Sequence, residues 1–388
     1  MNRRDFVMRT TAAAATLGIT ADALGKESSG KKRVTLGVIG CGSRGEWIAG
    51  LFAKHGGFDV TAVADYFPDS ARKVGDMFEV AADRRYSSLS GYKQLLESPV
   101  EAVAIMSPPY FHPEQAAAAV DAGKHVYLAK PVAVDVPGCR TIADVGQKAT
   151  ENSRAFLVDY QTRADPLFVE AIKRLHEGAV GKIAFGESSY HAGRLRKRGE
   201  DRTPEGRLRN WVFDKALSGD IITEQNIHTL DVMNWMMKEP PLSAVGGCAR
   251  KVRTDVGDCN DTFSLLFNYP DDVTMNFSSR QFGAHGTKPD GIRNRVFGDK
   301  GVLETKYGDR VLIRGEQFWT GGLTSSIYRD GVIANIADFF THITEGRFEN
   351  PTVAPSVQSN LITILGRTAA YTGKEQSWKT LMKSEEQL

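Results

Sequence analysis

Cysteine is scarce in these 388 residues, and so is any excess of one charge. The four cysteines, Cys41, Cys139, Cys248 and Cys259, include no C-x-x-C pair, so a zinc knuckle or a thioredoxin-like redox site is excluded. They read as buried or half-buried thiols, and Cys248–Cys259 is the only pair worth testing as a disulfide. Lys plus Arg number 49 against 47 for Asp plus Glu, a net +2, which leaves no electrostatic footprint for nucleic acid. No run approaches the roughly 18 uninterrupted apolar residues of a membrane-spanning helix, so a multi-span membrane protein is excluded. What is plentiful is glycine, 38 residues, within an ordinary 41% hydrophobic composition. At about 150 residues per domain the length predicts two or three globular domains.

The first thirty residues read as an address rather than fold. Met1–Arg9 is basic, Thr10–Leu24 is an Ala-rich, weakly apolar stretch, and Ala21-Asp22-Ala23 is a small-residue cleavage pattern. Arg3-Arg4 followed by Asp5-Phe6 resembles a twin-arginine export signal, with Asn2 where Ser or Thr is usual. The expectation is an exported, periplasmic protein that engages the twin-arginine translocation machinery.

A β-branched run, Arg33–Ile39, leads into Gly40-Cys41-Gly42-Ser43-Arg44-Gly45, a G-x-G-x-x-G. Helical periodicity follows through Trp47, Ile48, Leu51 and Phe52, and then a second strand, Phe58–Ala64, ends in Asp65. Strand, glycine loop, helix, strand and acid together form a dinucleotide-binding context. Gly40 permits the turn, Gly42 lets the backbone approach a pyrophosphate, and Gly45 lets helix and strand pack closely. The helix N-terminus supplies unpaired N–H groups for phosphate. Asp65 suits a ribose 2′-OH and repels a 2′-phosphate, which favours NAD over NADP; Arg72 and Lys73 argue the other way. An enzyme exported to a compartment without a nicotinamide pool would need to hold that cofactor tightly. Strands at Val100–Met106, His125–Leu128 and Phe156–Asp159 alternate with helices, which predicts a parallel, doubly wound α/β sheet. Ser107, Pro108, His112, Lys130 and Pro131 then lie beyond strand ends, where such sheets bind ligands.

Several segments in combination are similar to the glucose–fructose oxidoreductase/inositol dehydrogenase/rhizopine-catabolism (Gfo/Idh/MocA) family from about residue 32 to 375. They are the glycine loop, Ser107-Pro108-Pro109-Tyr110-Phe111-His112 (T-P-N-x-x-H), His125-Val126-Tyr127-Leu128-Ala129-Lys130-Pro131 (H-V-x-x-E-K-P), Gly181-Lys182-Ile183, and Ser218-Gly219-Asp220 with Glu224-Gln225-Asn226-Ile227-His228-Thr229-Leu230-Asp231 (G-G-G, D-x-G-x-H-x-x-D). The resemblance implies a Rossmann domain (31–160), a C-terminal α+β domain with a large, mostly antiparallel open sheet (161–375) and a tail (376–388). It also implies an NAD(P)-dependent oxidoreductase acting on CH–OH groups. The chain departs from the pattern at Ala129, where the family has Glu, at Gly219-Asp220-Ile221, and at Glu224, which stands for Asp.

Beyond the first domain, Pro166–Glu177 is an amphipathic helix and Ile183–His191 a strand. Arg194–Arg209 is strongly basic, read as a solvated loop in preference to a patch for an acidic substrate. Six further strands between Ala244 and Ile313 predict the open sheet, a surface suited to pairing in a homodimer or homotetramer. Ile333–Glu345 and Ser356–Thr372 close the chain as helices. Glu224 and His228, four apart, are expected on one helix face, with Asp231 near enough to orient the imidazole. Lys130 is expected to converge with His228 on the hydroxyl that is oxidised, the imidazole taking the proton as hydride leaves. Tyr160, Gln161 and Arg163 beyond a strand end, His191 and Trp211 are expected to contact substrate. No metal site is apparent.

Two enzymatic readings follow for a small carbohydrate. One is an oxidoreductase whose tightly bound NAD is reduced by one sugar or polyol and reoxidised by a second carbonyl compound. The other is a redox-neutral glycosidase or lyase working through a transient 3-keto sugar. A non-enzymatic nucleotide sensor is the third reading, and the acid–base constellation opposes it.

Overall fold

The computed structural model describes residues 33–388 except 201–202, 288–290 and 325; the proposed export signal lies outside the described residues. Six parallel strands form the first sheet: β1 (Val34–Ile39), β2 (Phe58–Asp65), β3 (Arg85–Ser87), β4 (Ala102–Ile105), β5 (His125–Ala129) and β6 (Phe156–Asp159). Their order is β3-β2-β1-β4-β5-β6. The chain therefore moves to one side of β1 and then to the other, and this reversal opens a crevice beyond the carboxyl ends of β1 and β4. β4 and β6 are buried throughout, as strands covered on both faces must be, which explains the unbroken apolar sequence of β4 and the apolar run Phe156–Val158 that precedes Asp159 in β6.

The second sheet has nine strands: β7 (Ile183–Ala192), β8 (Ser243–Ala249), β9 (Thr262–Asn268), β10 (Thr274–Gln281), β11 (Gly291–Gly298), β12 (Gly301–Lys306), β13 (Arg310–Gly315), β14 (Trp319–Leu323) and β15 (Gln376–Ser377). The order is β14-β13-β12-β11-β7-β10-β9-β8-β15. All neighbours are antiparallel except β7 and β10. The expected architecture, a Rossmann-like sheet followed by a large, mostly antiparallel one, is the architecture of the molecule.

Its borders are less simple than expected. Residues 376–388 are not merely a tail, since β15 pairs with β8 and a short helix, Trp378–Leu381, follows it. The helix Ile327–Glu345 returns to the first sheet. There Phe339 packs edge-on against Phe52 and Tyr127, with ring centroids 6.3 and 5.6 Å apart, inside that sheet's core. The helix Val353–Thr372 bridges both layers; Asn360 on it accepts a hydrogen bond from the Val132 N–H and donates to the Ala133 carbonyl.

The four cysteines are free thiols, so Cys248 and Cys259 are not a disulfide. Cys259 is buried against the Ser218 hydroxyl, while Cys248 lies on β8 opposite Phe263. No helix among the described residues is long and apolar enough to cross a membrane.

Candidate active site

The glycine loop has the geometry its spacing predicts. Gly40 adopts φ +90°, and a Cβ there would lie 2.7 Å from the Met106–Ser107 backbone. A Cβ on Gly45 would stand 1.8 Å from the Gly40 carbonyl oxygen, so only glycine lets the helix Ser43–His55 start this close to β1. A Cβ on Gly42 would meet nothing within 4 Å, because this backbone faces the crevice. Open approach at Gly42 beside the helix N-terminus fits a pyrophosphate.

Asp65 closes the loop from β2. One carboxylate oxygen accepts from the Cys41 N–H at 2.6 Å and the other from the Phe67 N–H at 2.8 Å. Burial raises the Asp65 pKa, and these two N–H donors oppose it. The Cys41 thiol is pushed far up by burial and by the neighbouring Asp65 charge, so it is a neutral packing group. Arg44 extends from the loop to Asp159 at 2.9 Å, and Asn335 donates to the other Asp159 oxygen at 2.9 Å.

The crevice at this end is walled by Gly42, Asp65, Phe67 and Ser107 on one side and by Arg198, Leu208, Arg209 and Trp211 on the other. Arg72 and Lys73, which had argued for a 2′-phosphate, are not among its walls; Lys73 pairs with Glu46 at 2.5 Å. Trp211 was expected at the substrate and stands instead at the nucleotide end. Pro108 shares this wall. His112 lies beneath it, fully buried, its Nδ1 2.7 Å from the Pro131 carbonyl and its Nε2 2.8 Å from the Ser107 carbonyl. Burial pushes its pKa down to about 4, against the pull of those carbonyls and with Lys130 adding to the effect. His112 is thus packed between two loops, its single N–H in the neutral ring serving one of these carbonyls, and it does not face the crevice.

Lys130, at the end of β5, donates to the Glu224 carbonyl oxygen at 2.6 Å and lies 3.3 Å from its carboxylate. Ala129 removes the carboxylate that the family motif carries beside this lysine, and Glu224 provides one from the other half of the molecule. His228 is 5% exposed, and its Nδ1 has no hydrogen-bond partner among the described residues. Burial, then the charges of Lys130 and Arg44, drive its pKa well below the usual imidazole range. These effects favour the uncharged ring.

Three expectations about this site change. Glu224 and His228 do not share one helix: Asp220–Glu224 ends at Gln225, and Ile227–Met237 begins a new one. Asp231 does not orient the imidazole. It is fully buried and accepts from Arg163 Nε at 2.9 and 3.0 Å and from the Ser359 hydroxyl at 2.7 Å. Tyr160 and Gln161, at 3% and 1% exposure, lie under the site, with Gln161 donating to the Asp159 carbonyl, because the helix Ile327–Glu345 covers this loop. Arg163 is held by Asp231 and stacked on Trp235, its guanidinium 5.1 Å from the ring centroid.

His191 is displaced for a reason of strand parity. On β7, Ser188 and Tyr190 are buried toward the helices, so His191 projects to the opposite, open face and meets the Ser278 hydroxyl at 3.0 Å. Tyr190 is the buried neighbour on this strand, and burial, then Tyr328 and the Glu224 charge, raise its pKa. Tyr328, from the returning helix, stands edge-on to His228 at 5.4 Å, with Tyr307 6.3 Å from the same ring. Sequence reasoning missed all three tyrosines. Alternation along β7 was the one available signal, and it favoured Tyr190 over His191.

Comparison with known proteins bears on the family and the fold. Residues 34–160 match a family described as "Oxidoreductase family, NAD-binding Rossmann fold", and residues 168–304 match the GFO/IDH/MocA C-terminal domain, together more than half of the chain. An inositol 2-dehydrogenase of Klebsiella pneumoniae is 31% identical over 209 residues, 53% of this chain and 54% of that protein. The chain thus spans about half the length of that relative. An inositol 2-dehydrogenase/D-chiro-inositol 3-dehydrogenase of Lactiplantibacillus plantarum is 24% identical over 86% of this chain and 89% of its own. Among solved structures, a levoglucosan dehydrogenase in complex with NADH and levoglucosan superposes with TM-score 0.72 at 19% identity, covering 89% of this chain and 99% of that one. An aldose-aldose oxidoreductase from Caulobacter crescentus gives 0.69 at 19% identity, covering 89% and 100%. At such identities the superpositions establish the fold.

Proposed function

The chain belongs to the GFO/IDH/MocA oxidoreductase family, and from that premise we propose that it moves hydride between NAD and a CH–OH carbon of a sugar or polyol. The observations that support the reading are a glycine loop that suits a dinucleotide and a Lys130 anchored on Glu224 whose charge reaches the buried His228 ring. Bound NAD supplies the hydride acceptor. The chain's own groups handle the proton. Lys130, steadied by Glu224, offers an ammonium to the substrate oxygen and stabilises negative charge as the O–H bond breaks. His228, uncharged, takes the proton. Tyr328 and Tyr190 supply an aromatic edge and hydroxyl groups suited to a polyhydroxylated ring. The dehydrogenase names of the relatives point to the same substrate class.

Asp65, at the crevice wall, favours NAD, since a 2′-phosphate would face its carboxylate. The sequence of residues 1–30 supports export by the twin-arginine route to the periplasm. The uncovered face of the second sheet, with Glu187, Ser189 and His191 on β7, supports association with further copies of the chain as a homodimer or homotetramer.

The test is His228→Ala in the mature chain. Nucleotide binding should be retained, while turnover of a polyol panel falls by about 10²–10⁴-fold, the range for loss of a positioned general base. Undiminished turnover would remove His228 from the chemistry. Aglycone released from glycosides in many equivalents, with no net reduction of NAD, would turn the reading toward the redox-neutral glycosidase.

A further inference from the structure

The basic segment Arg194–Arg209, which the sequence suggests is a solvated loop, is in part a wall of the nucleotide crevice. Its last arginine crosses between the two halves of the molecule. The Arg209 guanidinium lies 3.8 Å from the centroid of the Phe67 ring and 3.2 Å from both Asp69 carboxylate oxygens. Phe67 and Asp69 follow directly on Asp65, at the tip of β2, where the adenosine ribose of a dinucleotide is read. The Arg209 charge also reaches Asp65, holding down a pKa that burial raises.

The segment that carries Arg209 is folded on itself. Asn210, nearly fully buried, accepts from the Arg198 N–H at 2.6 Å and donates to the Gly206 carbonyl at 3.0 Å. Gly206 packs so tightly on the Glu200 carbonyl that a Cβ would stand 1.3 Å from it. Arg209 therefore projects from a fixed knot. Arg209 and Phe67 both line the crevice, together with Gly42 and Asp65.

We propose that Arg209 is a nucleotide-retention residue: through Phe67 and Asp69 it holds the helix Pro204–Arg209 at the adenosine end of the crevice, so that a bound dinucleotide leaves only when this bridge breaks. The ligand class rests on the hydride-transfer reading above, but the retention itself does not depend on catalysis. A cofactor held in this way must be returned to its starting state on the protein, which suits a reaction in which a second substrate, or a later step on the same substrate, takes the hydride back.

The experiment measures NADH release from the mature chain. The enzyme is loaded with NADH, excess NAD is added, and the loss of tryptophan-to-NADH energy transfer is followed by stopped flow. Arg209→Ala should release NADH about tenfold faster, equivalent to about 1.4 kcal/mol. Asp69→Asn should speed release by a few-fold, with a smaller response to added salt than the wild type shows, because one charged pair is lost. The double variant should be no faster than Arg209→Ala alone, since both changes break the same bridge. Release from Arg209→Ala within twofold of wild type would overturn the proposal. If Arg209→Ala fails to fold, Asp69→Asn tests the bridge from the other side, and unchanged release there overturns it equally. A protein that retains NADH yet reduces no carbonyl compound would count against the hydride-transfer reading and leave the retention result standing.

Discussion

Asp231 offers the sharpest separation between what its place in the sequence suggests and what its surroundings say. Three residues after His228, it has the position of a carboxylate that orients a catalytic imidazole. In the fold it is fully buried, with Arg163 and Ser359 as its partners. Removing an orienting carboxylate costs about 10⁴ in rate in the well-studied serine-protease triad. Removing one partner of a buried ion pair costs about 3–5 kcal/mol of stability. Here the lower end applies. Burial raises the Asp231 pKa despite Arg163, so desolvation already offsets part of the pair's gain, and the Arg163 side chain retains 19% exposure. Asp231→Ala should therefore lose about 3 kcal/mol. With unfolding entropy near 2.1 cal/mol/K per residue, a chain of this size moves by roughly 1.3 °C per kcal/mol, so Tm should fall by about 4 °C. Calorimetry gives that shift, and steady-state kinetics well below the new Tm gives turnover per folded molecule, expected within a few-fold of wild type. A variant that keeps its Tm but loses about 10³-fold or more in kcat would refute the reasoning and restore Asp231 to the imidazole.

The pH dependence follows from His228. Its folded pKa is depressed by burial and by the charges of Lys130 and Arg44, so the acidic limb of kcat/KM should lie below the ordinary imidazole value of 6.5. The same shift makes stability fall as pH drops through the unfolded value near 6.5, where the unfolded ring takes up a proton that the folded one resists; a Tm that rises on acidification from pH 7 to 5.5 would contradict this. The glycines should divide cleanly. Gly42→Ala should keep its Tm and lose nucleotide affinity, because its Cβ enters open crevice, whereas Gly45→Ala, with its Cβ 1.8 Å from a carbonyl oxygen, should lose both in thermal melts and binding titrations. Reductant should leave Tm unchanged, since all four thiols are free, and a reductant-sensitive melt would point to a disulfide absent from this fold.

Much of the fold was legible because its strands carry their environment in their composition. The buried strands of the first sheet read as short apolar runs, and β6 begins and ends where the sequence predicts. The strands missed are short ones: β14, whose five residues include two glycines and none that is buried, and two with little apolar signal. β3 is three residues, none fully buried, and β15 is two residues fixed only by pairing with β8. The helix Ile327–Glu345 starts a turn and a half before the predicted Ile333, since Ile327 and Gly331 are buried by contacts with the first sheet's loops that local periodicity cannot report. A Cβ on Gly331 would stand 2.4 Å from the Gln161 carbonyl oxygen, a long-range constraint with no local sequence mark.

The site was legible where chemistry is carried by spacing along one segment, and illegible where it is assembled from several. The glycine loop and Asp65 lie within one strand–helix–strand unit, so their mutual geometry follows from the sequence. Lys130 and Glu224 meet across the molecule, and the absence of a carboxylate at Ala129 is the only local hint that one arrives from elsewhere. The errors share one cause: polar residues near a predicted strand end were read as lining the cleft, although burial decides their role. Gln161 is bound to the Asp159 carbonyl and Arg163 to the buried Asp231, while Tyr328, from the returning helix, packs edge-on against His228. The polar groups of this region are not all held by partners of their own: Gln161 Oε1, Asn226 Oδ1 and the Tyr160 hydroxyl are buried without a hydrogen bond among the described residues, as His228 Nδ1 is, and each such group costs the fold stability.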